Sequence, residues 1–256
     1  MRTLFKKELL ENWRNFKWIW VPLVFMLLTI MDPLMTYYLP QIIDKVGGIP
    51  EGASFEIPTP SPEEAIMMSL AQLSSLGVLV LVLISMGTIA GERKRGITEL
   101  ILVKPVAHGH YVIAKWLSYL LLSWTSLSLG LLISWYYINI LFGALSFFSI
   151  ATTFIFYGLW LTLVITVSIF YNTIFKTPGI VAALSIMTFM VMSIVTQIFS
   201  HVLTWSPNKL SEHIQKAMVM GEWSTDLIGT AIVTIVISVI LLVASIYIFK
   251  TKEMAE

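Results

Sequence analysis

The chain has 256 residues, of which 57% are hydrophobic and 12% charged, and its mean hydropathy is +0.84. Soluble domains carry about a quarter charged residues, so this composition excludes an ordinary soluble protein and predicts a membrane protein. Cysteine is absent, which excludes disulfides and thiolate metal sites. The net charge of +1, without a basic run interleaved with aromatic residues, gives no indication of nucleic-acid binding.

Residues 1–17 predict an amphipathic helix that lies on the inner membrane surface. Apolar residues recur there every three or four positions, whereas the cations lie on other faces, which is typical of a helix held against anionic headgroups. An ordinary basic flank of the first span is the alternative. No small-residue cleavage site follows, so a cleavable signal is not expected. The apolar face consists of Phe5, Leu9, Trp13, Phe16 and Trp20.

Six stretches are long and apolar enough to cross a bilayer, which requires about 20 residues. Tyrosine and tryptophan cluster near their ends, as an interfacial aromatic belt requires. The sequence therefore predicts an all-α membrane protein with a single transmembrane domain over residues 1–256. The predicted spans are 18–38, 65–90, 111–139, 149–170, 179–200 and 227–249.

The distribution of positive charge predicts the orientation of the spans. With the N-terminus inside, all but three of the 16 Lys and Arg residues fall on the inner side; the exceptions are Lys45, Lys209 and Lys216. Because cytoplasmic loops are enriched in Lys and Arg, both termini are expected in the cytoplasm.

Two longer loops are expected on the outer side, at residues 39–64 and 201–226. The first is rich in Pro and Gly, which favours turns over regular structure. In the second, Ser206 and Pro207 suit a helix start, and Leu210, Ile214 and Ala217 would share one face. A short outer helix is therefore predicted between the fifth and sixth spans.

Small residues indicate where spans touch. Ser126, Gly130 and Ser134 recur every four positions along the third span, a spacing that lets two helix backbones approach closely. We expect helix contacts along this face.

A charged segment, GERKRGITELILVKPV at residues 91–106, joins the second and third spans on the inner side. Gly91 and Gly96 bracket the charges and permit tight turns. An apolar stripe at i, i+3 and i+4 predicts a short helix over residues 96–103, and the proline after it ends the helix. Such a helix could dock in a groove of a soluble partner; a charged loop that rests on lipid is the alternative. The stripe is Ile97, Leu100 and Ile101, and the proline is Pro105.

This segment resembles the signature of the type-2 permeases of ATP-binding-cassette (ABC) transporters. Two positions depart from the family pattern: Ile97 separates the glycine from Thr98, and His108 stands where a basic residue often follows Pro-Val. The inner amphipathic helix, the six spans and the outer helix extend the resemblance over the whole chain. The matching residues are Glu92, Arg93, Arg95, Gly96, Glu99, Leu100, Pro105, Val106 and, downstream, Lys115.

The resemblance implies a permease subunit in the cell membrane of a prokaryote. It would work as a homodimer on two copies of a separate ABC ATPase, which would bind ATP and magnesium. The chain itself contains no G-x-x-x-x-G-K-[ST] phosphate loop, so no cofactor and no catalysis are expected in it. The residues implied in docking the ATPase are Glu92, Arg93, Arg95, Gly96, Ile97, Glu99, Leu100, Ile101 and Pro105.

The resemblance favours export as the direction of transport. Polar candidates for the path are Asp32, Gln72 and Gln197. Asp32 precedes Pro33, so it either caps a break in the first span or reaches the outer interface. A path so poor in charge suits an apolar or amphipathic cargo. An ion-coupled secondary carrier, a membrane-embedded enzyme and a structural anchor of a complex are the alternatives; a carrier normally needs ionisable residues at mid-membrane.

The orientation can be tested with a reporter fused after Glu256. A reporter active only in the cytoplasm should work, because the positive-inside bias places the C-terminus there. Activity of an export-dependent reporter at the same position would contradict the whole topology.

Overall fold

A computed structural model describes residues 1–46, 59–96 and 108–253. Regular structure in these ranges is entirely helical, which confirms the predicted fold class. The helices are α1 (Arg2–Arg14), α2 (Lys17–Val46), α3 (Pro62–Gln72), α4 (Val78–Ser85), α5 (Ala90–Lys94), α6 (His108–Leu141), α7 (Phe147–Ile174), α8 (Pro178–Ile198), α9 (Leu210–Met220) and α10 (Thr225–Glu253).

The six predicted spans are present as apolar helices long enough to cross a membrane. Five of them are single helices: α2, α6, α7, α8 and α10. The second span, Pro62–Lys94, is instead built from α3, a π-helical turn at Leu73–Gly77, α4, an irregular turn at 86–89 and α5. The apolar composition predicted the span. It carried no signal for the two interruptions of the α-helix, which are the π-helical turn and the irregular turn at 86–89.

The first span extends further than predicted. Helix α2 runs through Pro22, Pro33 and Pro40 without a break. The prediction that Asp32 caps a break in the first span is therefore wrong. Residues 39–46, assigned to an outer loop because of their turn-forming residues, are also helical. Proline is tolerated in membrane helices because neighbouring groups satisfy the freed backbone carbonyls.

The predicted short helix before the last span is confirmed as α9, which follows a 3₁₀ turn at Pro207–Lys209. Its buried residues include Leu210, Ile214 and Ala217, the face expected from the sequence. Gly221 ends α9 in the left-handed conformation, with φ of 73°. This position suits glycine because the conformation is strained for residues that carry a Cβ.

The small-residue face of the third span is a helix contact. A Cβ at Gly130 would lie 3.3 Å from the carbonyl oxygen of Phe25, so glycine permits the close approach of α2 and α6. Thr29 donates from Oγ1 to the Gly130 carbonyl oxygen at 2.9 Å, and the Ser69 and Ser134 hydroxyls are 3.0 Å apart. In lipid, such close packing and interhelical hydrogen bonds replace the hydrophobic effect as the force that joins helices.

Helix α7 lies at the centre of the bundle and is the most buried span. Near its middle, Gly158 makes room for the indole ring of Trp124 on α6. The ring is fixed there, since its Nε1 donates to Thr162 Oγ1 at 3.0 Å and the Phe154 ring packs edge-on against it, with the two centroids 5.1 Å apart.

A larger side chain at position 158 should destabilise the protein. A Cβ there would lie 2.6 Å from the Trp124 ring, so Gly158→Val should lower the free energy of unfolding by about 1–3 kcal/mol, the usual cost of overpacking. Gly229→Val is the matched control, because a Cβ at Gly229 meets nothing within 4 Å. Thermal unfolding in detergent measures both; equal transition temperatures would contradict the packing described.

Candidate functional site

The first helix and the last described turn of the chain lie at one end of the bundle, which we call the basic end: α1, α5, residues 95–96 and the last turn of α10. Tyr111 at the start of α6 stacks on Phe249 of α10, with ring centroids 5.2 Å apart. Lys252 donates from Nζ to the carbonyl oxygen of Ile174 at 2.6 Å. The segment 91–106, singled out by its sequence, begins at this end.

The irregular turn at 86–89 is held by one side chain of α7, Asn172. Its Oδ1 accepts from the backbone N–H groups of Ile89 at 3.2 Å and Ala90 at 3.0 Å. Its Nδ2 donates to the carbonyl oxygens of Ser85 at 3.0 Å and Ser168 at 2.9 Å. Since unpaired backbone groups in a membrane interior cost several kcal/mol, Asn172 makes the interruption between α4 and α5 possible.

Helix α5 then directs two charged residues of the signature to opposite sides. Arg93 donates from Nη1 to the carbonyl oxygen of Thr173, at 3.2 Å, and so contacts the end of α7. Glu92 is buried toward α1 and α6, where it meets Lys115. The start of the signature is therefore fixed on both flanks.

A buried ion cluster surrounds Lys115. Its Nζ lies 3.0 Å from Oε1 of Glu92 and 3.1 Å from both carboxylate oxygens of Glu8 on α1. Lys7 also reaches Oε1 of Glu92, at 2.9 Å, and the Tyr111 hydroxyl donates to Oε2 of the same carboxylate. Lys115, Glu8 and Glu92 are each no more than 4% exposed. Removing such charges from water is costly, so each depends on its partners.

Further polar contacts dock α1 against the third span. Asn12 donates from Nδ2 to the Ser118 hydroxyl at 2.8 Å, one turn from the Glu8–Lys115 pair. Lys17, just after α1, donates from Nζ to the Tyr119 hydroxyl at 2.6 Å and to the Ile84 carbonyl oxygen at 3.2 Å. Glu8 and Asn12 thus form a bundle-facing polar edge that the amphipathic pattern did not reveal.

The predicted apolar face of α1 divides between the bundle and the surface. Phe5 and Leu9 are half-buried, whereas Trp13 and Phe16 are about two-thirds exposed, at 63% and 65%. Phe16 adopts a left-handed backbone conformation, with φ of 57°, at the turn into α2. The exposed aromatic rings fit an interfacial helix, because such rings favour the headgroup level of a bilayer.

The acidic residues around Lys7 hold its charge in place. Partial burial acts to lower the pKa of the Lys7 ammonium, but Glu8, and then Glu92 and Glu11, together hold this pKa above its ordinary value. Lys7 is therefore protonated throughout the physiological range, and the cluster keeps its second cation.

Oxygens of Glu8, Glu11 and Glu92 lie within 4.8 Å of one another, close enough to hold a metal ion. Lys115 and Lys7 already supply two ammonium groups to these carboxylates. Their proximity is explained by ion pairing, and we assign no metal to the cluster.

The predicted docking residues fall into two groups. Within the described part, Glu92 and Arg93 are buried, Arg95 is exposed with its Nε 3.1 Å from the Gly91 carbonyl oxygen, and Gly96 is left-handed with φ of 70°. The rest lie outside the described residues, so their docking role stays a prediction: Ile97, Glu99, Leu100, Ile101 and Pro105.

Two of the predicted path residues, Asp32 and Gln72, contact each other between the first and second spans. Gln72 donates from Nε2 to Oδ1 of Asp32 at 2.8 Å, which ties α3 to α2 at the edge of the π-helical turn. Gln197 is exposed near the end of α8 and lies apart from this pair. A role of these residues in transport stays a prediction.

Sequence reasoning missed three residues that organise the basic end: Glu8, Tyr111 and Asn172. Asn172 offered a signal, because a lone amide at the end of an apolar span needs partners. Glu8 offered little sequence signal, since it was one charged residue among several on an amphipathic helix. Its position opposite Lys115 is a property of the folded chain.

Six apolar helices, together with a signature segment tied by buried charges to two of them and to α1, define a polytopic membrane protein. Residues 2–254 match the family described as ABC-2 family transporter protein, and the chain belongs to this family. It is similar to the uncharacterized transmembrane protein YxlG of Bacillus subtilis (strain 168), with 31% identity over 254 residues that cover 99% of this chain and 98% of the relative. The family supports a membrane subunit of an ABC transporter.

Neutralising Lys115 should be far more damaging than neutralising an exposed lysine. Lys115→Met leaves two buried carboxylates without their shared cation and should lower the free energy of unfolding by about 3–5 kcal/mol. Lys216→Met removes an exposed partner of Glu212 and should cost only about 0–1 kcal/mol. Thermal unfolding in detergent compares them.

The pairing itself is tested by a second change at Glu8. Adding Glu8→Gln to Lys115→Met removes one uncompensated charge, so the double variant should be more stable than Lys115→Met alone. A double variant that loses the sum of the two single effects would show that Glu8 and Lys115 do not interact.

Proposed function

We propose that the chain is the permease subunit of an ABC exporter, working as a homodimer and driven by a separate ATPase that docks on residues 91–106. One observation carries the proposal: the buried cluster of Lys115, Glu8 and Glu92 joins the first residues of this segment to the spans. The family to which the chain belongs supports the transporter role, and the cluster supports the coupling role of the segment.

The contacts of α5 favour mechanical transmission from this segment. Glu92 reaches α1 and α6 through charged partners, while Arg93 and Asn172 connect α5 to α7. A push on residues 91–106 would therefore reach several helices at once. Because buried ion pairs resist separation, these elements would move as one unit. In this arrangement Glu92 and Arg93 position the segment, and the exposed Arg95 is left to meet the ATPase.

The energy source would be the partner subunit. The sequence lacks the phosphate loop that cradles a nucleotide, which supports placing ATP and magnesium on the ATPase. Two copies of that ATPase would match two copies of the permease, since closed twofold assembly is the commonest arrangement.

Exposed apolar faces of α2 and α8 supply a surface on which a second copy could pack. Met31 and Met35 of α2 are 52% and 55% exposed, and Met187 and Val191 of α8 are 61% and 57% exposed. The family resemblance places the first, second and fifth spans at the dimer interface, and these faces belong to the first and fifth. Methionine adapts its shape readily, which suits a surface that repacks during transport.

An ion-coupled carrier is the weaker alternative. In the described part of the spans, ionisable groups concentrate at the basic end, and Asp32 is already paired with Gln72. Carriers need such groups near the bilayer midplane, where they bind the coupling ion.

Leu100→Asp tests the docking segment. If Leu100 fills an apolar groove of the ATPase, a carboxylate there costs roughly a few kcal/mol, so ATP-driven transport and ATPase copurification from host membranes should both be lost. Leu10→Asp, at an exposed leucine of α1, is the matched control and should retain the ATPase. Normal copurification with Leu100→Asp would contradict docking on this segment.

The charges beside Leu100 should contribute unequally. Arg95→Ala removes a planar guanidinium group that can donate two hydrogen bonds to one carboxylate, whereas Lys94→Ala removes a single ammonium group. We therefore expect Arg95→Ala to lower ATPase copurification, and to reduce its dependence on salt concentration, more than Lys94→Ala does. Equal salt profiles of the two variants would contradict a specific contact of Arg95.

The direction of transport can be measured in inverted membrane vesicles that contain both subunits. ATP-driven accumulation of cargo inside them is the expected result for an exporter. ATP-driven loss of preloaded cargo would mean import, and accumulation that follows an ion gradient without ATP would favour the carrier.

A further inference from the structure

A cavity of about 490 Å³ lies at the end of the bundle opposite the basic end. Helices α3 and α4, the π-helical turn between them, α7 and α8 form its walls, and the 3₁₀ turn with α9 covers one side. The volume falls in the range of small-molecule sites, about 300–1,000 Å³. Its depth reaches Trp160, thirteen residues into α7 and therefore about 20 Å from the start of that helix.

The described residues that line the cavity are all uncharged. Apolar side chains such as Met67, Phe189 and Met190 form most of the surface. Hydroxyl and amide groups stand among them, from Ser193 on α8 and from Asn208 and Ser211 on the covering side. Burying a charge in such surroundings is costly without a counter-charge, so the lining favours a neutral molecule that is partly apolar and partly hydrogen-bonding.

Trp160 supplies an unused hydrogen-bond donor at this cavity. The residue is 6% exposed, and its Nε1 has no partner among the residues that the structure describes. Other indoles in the bundle are satisfied: Trp116 donates to Thr166 at 2.9 Å and Trp124 to Thr162 at 3.0 Å. A buried donor without an acceptor costs about 1–3 kcal/mol, so a ligand acceptor at this nitrogen would be favourable.

The nitrogen of Trp160 is covered by its neighbours. The Phe189 ring packs edge-on against the indole, with centroids 5.5 Å apart, and an acceptor would reach the buried nitrogen once the side chains that cover it move. One turn of α7 earlier, the Tyr157 hydroxyl is 3.0 Å from the Ser74 hydroxyl of the π-helical turn. Such turns are frequent at functional sites, and this one presents Ser74 and Ser75 to the cavity.

We propose that this cavity binds an uncharged amphipathic molecule. Its hydroxyl groups meet Ser193, Asn208 and Ser211, a carbonyl or ether oxygen accepts from Trp160 Nε1, and its chain leaves between α4 and α8. The exposed Leu79 and Met190 mark that exit, at 40% and 59% exposure. The walls named here all belong to one chain, and the proposed binding requires neither ATP nor the ATPase.

A matched pair of photoactivatable probes tests the proposed chemistry. The full-length chain is placed in phosphatidylcholine nanodiscs with a diazirine-bearing monoacylglycerol, or with the lysophosphatidic acid that differs from it by one phosphate. The monoacylglycerol should label residues 67–79 and 186–193 about tenfold more than the phosphate-bearing probe, because the lining has no counter-charge. Equal labelling by the two probes would overturn the proposal.

Three variants test the place and the contacts of the binding. Ala71→Trp fills the cavity from its π-turn side and should abolish this labelling, whereas Leu129→Trp, at a 42% exposed position of α6 outside the cavity lining, should not change it. Trp160→Phe keeps an aromatic ring but removes the N–H, and should weaken competition by unlabelled monoacylglycerol by about three- to tenfold, the worth of one neutral hydrogen bond. Unchanged labelling in Ala71→Trp would place the probe elsewhere.

The source of the bound molecule is settled by native mass spectrometry of the purified chain. A neutral lipid retained by the wild type and lost from Ala71→Trp identifies a resident of the bilayer. Labelling by added probe without a retained lipid identifies an exchangeable ligand, as a cargo would be. Because the assays omit the ATPase, a failure of binding here is distinct from a failure of the proposed ATP-driven export.

Discussion

The contact on which the basic end depends is the ammonium group of Lys115 between the carboxylates of Glu8 and Glu92. These residues come from α6, α1 and α5, and the pair of Lys115 with Glu8 joins positions 107 apart in the chain. None of the three charges could stay ionised at this depth by itself, because desolvation of an isolated ion costs several kcal/mol even after relaxation. The cluster therefore forms only when all three helices are in place, which makes it a condition for their mutual geometry.

Different forces join the helices at different levels of the bundle. Away from the basic end, α2 and α6 meet through Gly130 and short hydroxyl contacts, and α6 meets α7 where Trp124 enters the space left by Gly158. Such packing is the usual solution in lipid, where burying apolar surface between helices brings no hydrophobic gain. At the basic end, charged and amide side chains replace this packing. The signature segment thus begins where the helices are joined most specifically.

Hydropathy and charge were sufficient for the six spans because each span must satisfy its backbone internally over the full apolar thickness. The small-residue face and α9 also followed from local spacing. The interruptions of the second span did not, because they depend on partners far along the chain: Asn172 satisfies the turn at 86–89 from α7. Likewise, residues 39–46 are helical although they include Pro40, and local turn propensity alone gave the wrong prediction there. Of the site, the sequence supplied Glu92, Arg93 and Lys115, but not the α1 carboxylate that completes the cluster.

The second span connects the two regions to which we assign a role. The part of the second span that lies at the basic end carries Glu92. The other half of this span, which includes the π-helical turn, forms a wall of the cavity. Only α4, the eight residues of Val78–Ser85, separates the π-helical turn from the turn at 86–89. A rigid helix of two turns between two irregular turns can rotate or shift as a unit, because the irregular turns absorb the change in backbone angles. A displacement of α5 by a docked ATPase would then reach Val78 and Leu79 at the cavity wall through α4. Asn172 contacts both α4 and α5 beside the turn at 86–89, and Tyr157 contacts the π-helical turn beyond the far end of α4, so the central helix α7 would move with α5 and carry the same displacement to the cavity wall.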